Sequence, residues 1–278
     1  MRLAVIESNP DDPARLIALF AQARAEFLAL GIETEPIDLG LAVCLPALAN
    51  LHDANCVTAA RVPRGHDASK LLADAAAWFK ERGGALGKIV PNPATDADAE
   101  RAPLEAALRT LGWREHRRDV LHLAQAPPST APPPGVSVLS ARAVPGPYES
   151  FCRAVAEHEP QLADLALLRL DDPRFDALVA LHAGQVVARA GVLSLGETGL
   201  IENVVTRPEH RRRGYARAVM GRAIDVCARS QFKRVLLGCD TDNTAGQALY
   251  AALGFTRIGQ HVEWRAGDTR AAESRQPE

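Results

Sequence analysis

The sequence is short of several things, and each shortage removes a class of function. Aromatic residues are only 5% of the chain, and acidic and basic residues nearly cancel, to a formal charge of -2. With no basic field and few stacking rings, nucleic-acid binding is excluded as the main role. No apolar run approaches the ~20 residues that span a bilayer. The opening stretch MRLAVIESNPDDPARL turns acidic too early for a secretory signal. The expectation is a cytoplasmic protein with no membrane partner. Cysteines are few: Cys44, Cys56, Cys152, Cys227 and Cys239 are odd in number and form no CxxC pair or zinc-spaced cluster. They read as small buried hydrophobes, and no metal is expected.

What the chain does have is enough apolar material, 47% of 278 residues, for two domains of ordinary size. Its character changes at Pro127 to Gly135, PPSTAPPPG, where prolines remove backbone donors and favour extended chain. That stretch reads as a linker, dividing the sequence into residues 1–126, a linker 127–135, a domain 136–266 and a polar, frayed tail 267–278. After the linker, 148–169 suggests two short helices broken near Pro160. Asp176 to His182, Gln185 to Leu195 and Thr198 to Thr206 are β-rich and separated by Ala183-Gly184 and Gly196-Glu197, the makings of an antiparallel meander. Apolar residues three and four apart then predict a helix over Ala216 to Ser230. A buried strand over Arg234 to Gly238, a helix over Ala245 to Leu253 and a last strand over Thr256 to Arg265 follow.

The chemistry concentrates in VVTRPEHRRRGYA, Val204 to Ala216, where a strand turns through three arginines and a glycine into a helix. A helix start presents free N–H groups and the positive end of the helix dipole, so it attracts phosphate. Gly214 and Ala216 keep bulk away from those amides, while Arg211, Arg212 and Arg213 add charge-assisted donors. Alone, three arginines read rather as a solvated basic turn capping a surface helix. Two further signals accompany them in order: Asn243 just after the next strand, and Tyr250 within ALYAALGF, Ala248 to Phe255.

Together these residues resemble the GCN5-related N-acetyltransferase (GNAT) family from Val136 to about Arg265, with Arg211, Gly214 and Ala216 on the family's Arg/Gln-x-x-Gly-x-Gly/Ala loop. The resemblance implies an α/β (α+β) fold, a mixed and mostly antiparallel sheet flanked by helices. It implies that Val204, Val205 and Thr206 line the pantetheine of acetyl-CoA, that the pyrophosphate sits on Arg212, Arg213, Gly214, Tyr215, Ala216 and Arg217, and that Asn243 bonds the pantetheine region. Tyr250 would stand near the thioester sulfur as the acid. Glu202, in LIENVV, is the candidate base; alternation puts it on one face with Val204, and the alternative is a strand glutamate in a salt bridge. The ribosomal-alanine acetyltransferases of the family carry a base where this chain has Gly238. Asp240 and Asp242 read as solvated carboxylates near the mouth, and Glu157, His158, Glu159 and Trp264 as possible borders of an acceptor cleft.

The N-terminal half echoes the pattern at nearly the same spacing: Gly65 leads into an apolar helix Ala68 to Lys80, Lys88 to Val90 leads to Asn92, and a helix ends in Leu111-Gly112-Trp113 as a later one ends in Leu253-Gly254-Phe255. This suggests a duplication, hence a tandem fold. The copy lacks working parts: Asp67 falls where Ala216 sits and would repel phosphate, and Leu108 where Tyr250 sits. The function expected is transfer of an acetyl group from acetyl-CoA to a primary amine of a small molecule or peptide by direct attack. The alternative is a CoA-binding sensor without turnover. The chain is expected as a monomer, an intrachain pseudo-dimer, or as a homodimer.

Overall fold

The computed structural model describes residues 12–93, 97–126 and 131–267. Four residues of the expected linker and all of the expected tail beyond 267 lie outside these ranges. In chain order the N-terminal half comprises α1 (Pro13–Ala29), β1 (Thr34–Ile37), β2 (Gly40–Cys44), β3 (Asn55–Ala60), α2 (Ala68–Glu81), β4 (Lys88–Pro91), α3 (Ala102–Thr110) and β5 (Arg114–Leu123). The C-terminal half comprises β6 (Val136–Ser140), α4 (Pro145–Val155), α5 (Gln161–Leu170), β7 (Phe175–His182), β8 (Gln185–Leu195), β9 (Thr198–Thr206), α6 (Tyr215–Arg229), β10 (Arg234–Asp240), α7 (Thr244–Ala251) and β11 (Phe255–Arg265). The expected meander and every expected element after it are present.

All strands join one eleven-stranded sheet in the order β1-β2-β3-β4-β11-β5-β10-β9-β8-β7-β6. It is antiparallel except for one parallel pair in each half, β3 with β4 and β9 with β10. The halves do not merely abut. β5 of the N-terminal half lies between β10 and β11, and β11 of the C-terminal half lies between β4 and β5. Each half thus completes its sheet with a strand from the other.

Helix α1, which the sequence reading did not anticipate, begins at a cap in which Asp12 Oδ2 accepts from the Arg15 N–H at 3.3 Å, with Pro13 in the first turn where its missing donor costs nothing. Leu16, Phe20, Ala23 and Phe27 recur at helical spacing, and all are buried in a core shared with Phe151, Phe175, Val179 and Leu236 of the other half. The opposite face of the C-terminal sheet is covered by α6 and α7 through Tyr215, Val219, Ala223 and Tyr250. Gly238 explains how closely α1 approaches: a Cβ there would meet the Phe20 ring at 2.7 Å, so the family position that carries a base elsewhere is filled here by packing. Trp264, expected near a cleft, is instead 1% exposed, in the core beneath α2 and α3.

Candidate active site

Strands β9 and β10 pair in parallel from Thr198↔Arg234 to Ile201↔Leu237 and then part, although β9 continues to pair with β8 as far as Thr206↔Ala188. From Glu202 to Thr206 the backbone groups facing away from β8 therefore have no strand partner, and a V opens between β9 and β10. Val204, Val205 and Thr206, expected to line it, are half-buried along one edge. The cause of the change of course is a β-bulge. Gly191 faces Glu202 and Arg189 faces Val205, so Asn203 and Val204 share one partner, and Asn203 takes the left-handed φ of 55°. The bulge also overturns one expectation. It resets the alternation, so Val204 packs on the α6 side while Glu202 points to the α1 side, on opposite faces.

The turn after β9 has the form expected of an anion site. Gly214 caps α6 at φ 81° with no side chain to occupy the amides; the first intrahelical bond runs from Ala218 N–H to the Gly214 carbonyl at 3.0 Å. Among the described residues the N–H groups of Tyr215, Ala216 and Arg217 meet no acceptor, which leaves them for a ligand. Arg211, Arg212, Arg213 and Arg217 are exposed around them. The Tyr215 ring is buried between His182 and His210, at centroid distances of 5.7 and 6.1 Å, so only its backbone is available. Asn243 caps α7, its Oδ1 accepting from the Gly246 N–H at 2.9 Å, which leaves its amide donors free to turn outward.

Tyr250 comes off α7 with 7% exposure, edge-on to Phe255. Burial raises its phenol above the ordinary range, and the nearby Cys239, Glu202 and Asp240 add to the effect, so it is a protonated donor at neutral pH. Glu202 is buried, with Oε1 3.6 Å from Arg24 Nη1 and 3.8 Å from Arg118 Nη1, yet that oxygen accepts no hydrogen bond among the described residues. Asp240, read from sequence as a solvated carboxylate, is tied to His116 at 3.2 Å and to Arg118 at 3.1 Å. The hydrogen bond from His116, followed by the charge of Arg118, holds it below the usual carboxylate range. Asp242 is exposed as expected. Three of these partners, Arg24, His116 and Arg118, come from the N-terminal half. Nothing in their local pattern marks them; the strand exchange brings His116 and Arg118 here, and the packing of α1 on the sheet brings Arg24.

The network continues away from the V. Arg24 Nε bonds Glu263 Oε1 at 3.1 Å, and Lys88 joins Glu263, at 3.0 Å, to Asp53. Burial would raise Glu263, but Lys88 and Arg24 outweigh it and hold the carboxylate well below its usual range. His261, 3.8 Å from Glu263, is pushed down to about 4 by burial. All five cysteines are free, and among the described residues no group of three or more His, Cys, Asp or Glu is arranged to hold a metal. Nor, among them, is any helix long and apolar enough to cross a membrane.

Residues 145–255 match the model of the Acetyltransferase (GNAT) family. These residues form a GNAT domain. Structures of similar fold include a GCN5-related N-acetyltransferase from Kribbella flavida, 15% identical, covering 92% of this chain and 98% of that one at a TM-score of 0.61. A second, from Sphaerobacter thermophilus, is 20% identical and covers 91% and 90% at 0.56. A GNAT-family protein from Novosphingobium aromaticivorans is 21% identical and aligns over 55% of this chain and 66% of its own length, with a TM-score of 0.44. For the first two, at these identities, the likeness is one of fold. In the first two it runs through both halves, so the N-terminal half is GNAT-like as well.

Proposed function

We propose that the chain is an acetyl-CoA-dependent N-acetyltransferase whose acceptor is a primary amine of a small molecule or peptide. The observation that carries the reading is the conjunction, in the GNAT half, of the V beyond Ile201↔Leu237 with the uncapped start of α6. The first offers unpaired backbone to a pantetheine arm, and the second offers three N–H groups and a ring of arginines to a pyrophosphate. Acetyl-CoA would supply an activated acetyl thioester at the bulge; the residues do the rest. A primary amine is almost wholly protonated at pH 7, and freeing its lone pair costs about 4 to 5 kcal/mol, so a proton acceptor is required. Glu202, whose Oε1 has no hydrogen-bond partner, is assigned that role. As the C–N bond forms and the C–S bond breaks, the phenol of Tyr250 gives its proton to the departing sulfur and its phenolate takes the second proton from the new amide nitrogen, while Glu202 releases the first to solvent.

Two variants test this together. Gly214→Glu puts bulk and negative charge on the amides and is expected to abolish acetyl-CoA binding in calorimetry, whereas Tyr250→Phe is expected to bind normally and release thiol roughly a hundredfold more slowly. Normal binding by the Gly214 variant would sink the donor site. Tight binding by the native chain with no amine-dependent thiol release would favour a CoA-binding module.

A further inference from the structure

A cleft of about 1070 Å³ opens where the two halves meet, lined by Asp53, Arg114, His116, His158, Glu159 and Arg265 among others. His158 and Glu159 belong to the turn between α4 and α5, and Arg114, His116 and Arg265 to the exchanged strands. Arg114 and Arg265 are direct cross-strand partners, and on its other side Arg265 is opposite Lys88. Three cations in register across neighbouring strands repel one another unless anions intervene. Lys88 has its anions in Asp53 and Glu263. Arg114 and Arg265 have no carboxylate at ion-pair distance among the described residues, and Arg265 Nε is buried without a hydrogen-bond partner. Paired guanidinium groups left open on the wall of a cleft match a planar anion, which a carboxylate fills with two-point bonds.

The same cleft also has a side suited to a cation. His116 lines it, with its Nε2 3.2 Å from Asp240 Oδ1. Asp240 ends β10, one lip of the V, and Arg118, 3.1 Å from Asp240 and 3.8 Å from Glu202, joins it to the candidate base, so the cleft and the V meet at this pair. Resting on the transferase reading above, we infer that this cleft is the acceptor site and that its acceptor is an amine carrying a carboxylate of its own. Arg114 and Arg265 bind the carboxylate, and the ammonium is directed toward His116 and Asp240.

The test is thiol release from acetyl-CoA with the L-α-amino acids, β-alanine and γ-aminobutyrate, each set against its carboxamide and its decarboxylated amine. Turnover is expected to be at least tenfold more efficient with the carboxylate-bearing member of each productive set. Arg265→Met and Arg114→Met are each expected to raise KM for that acceptor at least tenfold while acetyl-CoA affinity in calorimetry stays native, which also reports that the variants are folded; Arg265→Lys should recover part of the loss. Thiol release with carboxylate-free amines alone, equal efficiency with acid and amide, or a native acceptor KM in both Met variants overturns the inference. Acetyl-CoA binding without thiol release for any amine overturns the transferase reading beneath it.

Discussion

In the C-terminal half the helix after the turn begins at Gly214, with nothing of its own to fill its amides. In the N-terminal half the corresponding Gly65 has the same φ of 81°, but α2 then starts at Asp67, whose Oδ1 accepts from the N–H groups of Ser69 and Lys70 at 2.8 and 3.4 Å. The strands differ in the same sense. β9 and β10 part after Ile201, whereas β3 and β4, after a bulge at Ala59 with φ 51°, close again at Ala60↔Pro91, and the Asn92 N–H donates to the Ala60 carbonyl at 2.9 Å. Leu108, fully buried, stands where the other half has Tyr250. One plan has thus been built twice, once with its helix start and wedge left open among the described residues and once with both closed by the chain itself. Polar groups left unsatisfied in one copy and satisfied in the other mark where a ligand belongs more sharply than either copy would alone.

The comparison can be broken most severely through the residue that joins the halves. Arg24→Met removes the guanidinium shared by Glu202 and Glu263 and is expected to cost roughly 3–5 kcal/mol, since it strands buried carboxylates. Denaturant unfolding should remain one transition; two separable transitions would show that the halves are independent. Acid probes the same joint. The unfolded chain takes up the His261 proton near 6.5 and the folded chain only near 4, so within that window the unfolded state binds more protons. Stability is therefore full above about pH 6.5 and falls as the pH drops toward 4, by about 3 kcal/mol, a loss His261→Gln should flatten. The smallest effect tests the closed copy. Asp67→Ala should cost about 1 kcal/mol through the lost cap and leave acetyl-CoA stoichiometry at one site; a second binding event would mean that Asp67 alone had been keeping the N-terminal turn shut.

Much of this was legible in the sequence because it is local. Periodicity placed β7 to β11, α6 and α7 to within two residues, and Asp67 stood out because it falls where the other half has Ala216. What was not legible depends on partners far apart in the chain. β5 reads as a strand, but nothing in REHRRDVLHL says that it pairs with β10 and β11 rather than with β4. The ion network takes one residue each from α1, β4, β9 and β11 and another from the turn before β3, so no window of sequence contains it. The face of Val204 was misjudged because strict alternation has no place for the extra residue at Asn203, and Trp264 because a tryptophan near the end of a strand gives no sign of which core receives it.

The exchange of β5 and β11 also bears on how the chain is made. β11, the last of the described strands in chain order, belongs at the middle of the sheet, between two strands synthesised more than a hundred residues earlier. Until it arrives, β4 and β5 each present a raw edge, and a nascent or truncated chain ending before Phe255 carries both into the cell as templates for wrong pairing. The fold is therefore one that cannot be finished half at a time, and its assembly waits on β11.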